Sequence, residues 1–71
     1  MSKAARDRRG VVVGFDDHVG LGEIESDGIR YLFHCVEIAD GTRTIAVGAT
    51  VGFRVVTRFG TLEASDVAAL G

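Results

Sequence analysis

The stretch Gly20-Leu21-Gly22-Glu23-Ile24-Glu25-Ser26-Asp27-Gly28-Ile29-Arg30-Tyr31-Leu32-Phe33-His34-Cys35 decides the fold class. Two alternating runs flank Asp27-Gly28, a pair that accepts the positive φ angles of a primed two-residue turn. In Gly20–Glu25, Ile24 shares a face with two glycines while Leu21, Glu23 and Glu25 point the other way; the glycines predict a bulge or strong coiling. In Arg30–Cys35, Tyr31 and Phe33 share one face and Leu32 and His34 the other. The two runs are therefore predicted to pair antiparallel.

The same period of two recurs outward from this hairpin. Thr50–Arg58 alternates Val51, Phe53, Val55 and Thr57 with their neighbours, and Val11–Phe15 and Leu62–Val67 complete a predicted set of five strands. Between Val36 and Gly48 the alternation lapses, leaving a short helical turn near Val36–Ile38 and a loop through Thr42–Thr44. Ten glycines, no proline and 7% aromatics suit short strands with tight turns better than a helical bundle. A chain of 71 residues has room for one domain, and five short strands protect their edges by closing into a small all-β antiparallel barrel. Val12, Ile24, Tyr31, Phe33, Val51, Phe53, Val55 and Val67 are the predicted interior. The boundaries are read as a basic flexible arm at 1–9, the barrel at 10–68 and a short tail at 69–71.

Composition narrows the function classes. The longest uninterrupted aliphatic run is Val11-Val12-Val13, far short of the roughly 18 residues of a membrane helix, and no signal-like segment follows the basic start, so a cytoplasmic protein without membrane contact is expected. The single cysteine, Cys35, excludes an internal disulfide, and one Cys with two His does not make a closed structural zinc site. His34 and Cys35 are adjacent on a strand, where neighbours face opposite ways, and no third group orients the imidazole; no catalytic residue, cofactor or metal is assigned. Asp16, Asp17 and His18 read as turn residues. Net charge is −2, but Lys3, Arg6, Arg8 and Arg9 crowd the start against Asp7 alone, giving a basic arm on an acidic body.

Taken strand by strand, Gly10–Val67 resembles the bacterial cold-shock domain, a five-stranded barrel of the OB type that binds single-stranded RNA and DNA. Gly10-Val11-Val12-Val13-Gly14-Phe15-Asp16 is similar to the family's first strand, Gly-Lys-Val-Lys-Trp-Phe-Asn. Gly20-Leu21-Gly22-Glu23-Ile24 is similar to the Gly-Phe-Gly-Phe-Ile of its first RNP motif, and Leu32-Phe33-His34-Cys35 to the Phe-Val-His-Phe of its second. Ile38, Gly48, Val51, Phe53, Val55, Gly60 and Ala64-Ser65-Asp66-Val67 fall at later core and turn positions.

The resemblance implies binding by base stacking over a basic sheet, with Phe15, Leu21, Leu32 and His34 on the platform and Arg8, Arg9, Arg43 and Arg58 as phosphate contacts. Here Gly14 stands for the family's tryptophan, and Leu21, Glu23, Leu32 and Cys35 stand for phenylalanines, leaving Phe15 and His34 to stack. Losing three or four stacks at roughly 1.5 kcal/mol each predicts affinity about 10⁴-fold below an intact relative. The rival expectation is that Val11, Val13, Leu21, Leu32 and Cys35 form an outward aliphatic patch that docks a protein partner or a second copy.

Overall fold

The computed structural model describes residues 6–70; Lys3 and the rest of the arm's first five residues, and Gly71 of the tail, lie outside the described residues. Five strands, β1 (Arg8–Asp16), β2 (Leu21–Ser26), β3 (Ile29–His34), β4 (Thr50–Arg58) and β5 (Thr61–Ala69), close into a barrel in the order β1-β2-β3-β5-β4. A single 3₁₀ turn, Cys35–Glu37, follows β3, where the sequence predicts a short helical turn. The barrel is all-β and five-stranded, as the alternation and the edge argument require. All pairings are antiparallel except β3 with β5, which meet in parallel at Leu32↔Glu63 and seal the cylinder.

Val12, Ile24, Tyr31, Phe33, Val51, Phe53 and Val67 are buried in the interior, joined by Ile38 and Ala64; Val55 packs against this core half-buried. The Tyr31 and Phe53 rings meet at 5.4 Å with a tilt of 58°, a favourable aromatic geometry. Asp27 and Gly28 take φ of 52° and 79°, the primed-turn pattern expected of them.

Three features differ from the sequence reading. First, β1 begins at Arg8 rather than after residue 9. Arg8 and Arg9 pair with Phe53 and Gly52 of β4, and the Ser26 hydroxyl donates to the Arg9 carbonyl at 2.5 Å, so the end of the supposed arm is a strand. Their charged side chains do not oppose this, because the backbone pairs while both remain exposed. At the other end β5 runs to Ala69, one residue beyond the expected barrel.

Second, the ladder irregularities lie in β1 and in the β4–β5 pair, not in β2. The β1–β2 register slips between Val12 and Gly14, and that of β4–β5 between Gly52 and Arg54, where Asp66 takes a φ of 55°. The β2 glycines serve close approach instead. A Cβ on Gly22 would fall on the Phe33 ring and within 2.9 Å of Phe15, whose rings stack 5.9 Å apart at 9° beside the vacant position.

Third, Cys35 packs against the core instead of facing outward. It belongs to the 3₁₀ turn, its N–H donates to the Gly20 carbonyl at 2.8 Å, and its sulfur lies 2.8 Å from where a Cβ on Gly20 would sit. Among the described residues no helix is long and apolar enough to cross a membrane.

Candidate nucleic-acid interface

The outer face of β1, β2 and β3 is built in rows set by the register. Asp16, Leu21 and His34 form one row, Gly14, Glu23 and Leu32 the next, and Val11, Glu25 and Arg30 the third. Leu21 (40% exposed), Leu32 (45%) and His34 therefore share one open surface, as the alternation of β2 and β3 predicts.

Phe15 is the exception among the expected stacking residues. Val12 faces inward, so plain alternation would turn Phe15 outward. The bulge inserts Val13, shifts the phase by one, and turns Gly14 out and Phe15 in, opposite Gly22. Phe15 is half-buried on Phe33 and offers the surface only part of its ring. Outward-facing Gly14 has nothing within 4 Å of where a Cβ would be. A shallow depression of about 310 Å³ results, lined by Gly14, Phe15, Asp16, Leu21, Gly22 and Glu23.

The aliphatic patch is interrupted by charge. Glu25 is the direct partner of Val11, Glu23 that of Leu32, and the two carboxylates separate Val11 from Leu21 along the face. Val13, in the bulge, is half-buried. Glu23 meets the Arg30 guanidinium at 3.5 Å across exposed surface, a contact worth little in water.

The cations divide into two groups. Arg58 is turned back on Glu37 (3.5 Å) and Glu63 (3.6 Å), and Arg6 is bound to Asp66 through a 3.0 Å ion pair and a hydrogen bond from Nε to the Asp66 carbonyl. Arg54 lies 3.8 Å from the same Asp66 carboxylate. Arg8, Arg9 and Arg43 are exposed, and among the described residues no carboxylate is paired with them. Arg8 and Arg9 sit by the Ser26 end of the β2–β3 hairpin, whereas Arg43 lies in the loop after the 3₁₀ turn. His34 is at the opposite end of β3 from Ile29, five residues or roughly 16 Å by strand rise.

Glu37 is a structural residue that the sequence reading passed over. The β5 bulge leaves the Asp66 N–H without a ladder partner, and Glu37 Oε1 accepts it at 3.1 Å together with the Ser65 hydroxyl at 2.8 Å. The Ser65 hydroxyl, against partial burial and with help from the Asp66 amide and Arg58, holds the Glu37 carboxyl below its ordinary range. A depressed folded value means that this stabilisation is complete above the unfolded pKa, about 4.3, and is lost as pH falls through the folded value. Glu37→Gln should thus be less stable than wild type by about 1 kcal/mol at pH 7, with the gap closing toward pH 3 in urea titrations. A gap that is constant with pH would show that the charge is irrelevant.

The sequence matches no family model and no curated protein. Among solved structures 36 chains match, including the one described as "drosophila Unr CSD456", with a TM-score of 0.76 at 24% identity. The match covers 90% of this chain but 26% of that one. The likeness establishes a cold-shock-type barrel. Its source is an animal protein, so the likeness does not carry the bacterial assignment, nor does it extend to the RNP motifs.

Proposed function

We propose that this barrel binds single-stranded RNA or DNA weakly and in a salt-sensitive manner across the outer face of β1–β3. The reading rests on one observation: Leu21, Leu32 and His34 are exposed together beside the open depression at Gly14, while Arg9, on the outward phase of β1 with Val11, stands unpaired toward the Ser26 end of that face, with exposed Arg8 next to it in the chain. Bases lie against the first group, and the second meets phosphates. Affinity is low because His34 is the one open π-face in the three rows, Phe15 is turned inward, and Glu23 places a carboxylate in the middle. A protein partner or a second copy fits this face less well, since Glu23 and Glu25 break the aliphatic area that such an interface would bury.

The test is fluorescence anisotropy with a labelled pyrimidine-rich single strand at two salt concentrations. The expected Kd is no tighter than about micromolar at physiological salt. Deleting residues 1–9 would remove part of β1, so the cations are tested by Arg8→Gln with Arg9→Gln. That variant should lower the slope of log K against log salt by about 1.4, at roughly 0.7 per phosphate contact on single strands. Nanomolar binding with an unchanged slope would overturn the proposal.

A further inference from the structure

The β4–β5 hairpin turns through Phe59-Gly60 at φ of 51° and 78°, almost the same angles as Asp27-Gly28 in the β2–β3 hairpin. Asp, Asn and Gly suit the first position of such a turn; a bulky aromatic there is strained by its own Cβ. Phe59 is also 106% exposed, so its ring buries nothing to offset that strain. The residue is unfavourable for folding on both counts, in a chain that uses Asp at the equivalent place.

We propose that Phe59 is a base-stacking residue: its free ring receives a nucleobase of the single strand that crosses the β1–β3 face. This rests on the nucleic-acid reading above and adds to it an aromatic outside the platform. The placement fits. Leu32↔Glu63 sets the start of β5 beside β3, so the tip lies within about 13 Å, four residues of strand, of the Leu32 row. Arg58 is held by Glu37 and Glu63, so the tip presents a ring rather than a free charge. A stable protein interface needs about 800 Å² from each partner, and one phenylalanine supplies at most about 250 Å². A single stacked base needs only the one ring.

Two variants test this. Phe59→Trp introduces the chain's only tryptophan, whose emission should be quenched when an unlabelled oligothymidylate of about eight nucleotides is titrated in. Phe59→Asn supplies the residue the turn prefers. It should melt a few degrees higher than wild type yet bind the same strand about 5- to 150-fold more weakly, with the salt slope unchanged. A variant that folds better and binds worse separates recognition from folding. If wild type binds by anisotropy but the indole emission of Phe59→Trp is not quenched and Phe59→Asn binds equally well, the stacking role is wrong and the platform reading stands. If wild type does not bind at all, both fall. A wild-type dimer that Phe59→Asn converts to monomer in sedimentation would assign the ring to a second copy and overturn the proposal.

Discussion

Replacing Glu23 and Leu32 together by phenylalanine is expected to tighten binding to a short pyrimidine-rich single strand by about 2–6 kcal/mol, roughly 30-fold to 10⁴-fold. The two residues are direct cross-strand partners on the outer face, so the new rings would stand side by side. On the far side of residue 23 lies Gly14, with open space above it, and a base can slide onto either ring without meeting another side chain there. Two bases each gain a π-face. The substitution also deletes the carboxylate that repels phosphate and releases Arg30 from its 3.5 Å contact. Both positions are solvent-facing, so the core is untouched and the thermal midpoint should move little. Anisotropy on the double variant and on each single variant gives the answer. A double variant that binds no better than wild type would show that this face is not where single strands lie. If the wild type sediments as a dimer and the double variant as a monomer, the aliphatic interface is the better account.

Phe53→Ala should cost about 3–5 kcal/mol, comparable with the whole stability of a domain this small. Phe53 is fully buried, tilts against Tyr31, and lies on the strand that joins β1 to β5. Removing the ring leaves a cavity that cannot collapse, because the walls are strands locked into a closed cylinder. Thermal melts followed by circular dichroism should show little or no cooperative transition at room temperature and above. Phe53→Leu keeps most of the volume and is expected to lose less than about 1.5 kcal/mol. Melting of Phe53→Ala at the wild-type midpoint would exclude Phe53 from the core.

The same distinction between local pattern and long-range contact runs through the binding face. Leu21, Leu32 and His34 are where the alternation of β2 and β3 puts them, because a two-residue turn fixes that hairpin's register. Phe15 is not, since a bulge changes the phase of a strand by one residue and nothing in Val11-Val12-Val13-Gly14-Phe15 marks which residue is the extra one. Phe59 escaped attention for a related reason. Phe59-Gly60-Thr61 falls between two expected strands, so the sequence leaves Phe59 in the connection, and only the backbone angles and the exposure show that it takes the left-handed turn position with its ring free.

Alternating apolar residues and Asp27-Gly28 were enough to determine five strands, one barrel and nearly all of its interior, because these depend on side-chain period and on turn stereochemistry, both local properties. The resemblance to the cold-shock domain, read residue by residue, likewise implied a platform with few aromatics and a central carboxylate at Glu23. Tertiary structure alone decided which cations are free. Arg6 and Arg58 are captured by Asp66 and Glu37, acids distant in sequence that the β5 bulge and the 3₁₀ turn bring within reach, while Arg8 and Arg9 become strand residues by pairing with β4. An ion pair depends on a separation of a few ångströms between segments far apart in the chain, and closure of the barrel at Leu32↔Glu63 sets those separations.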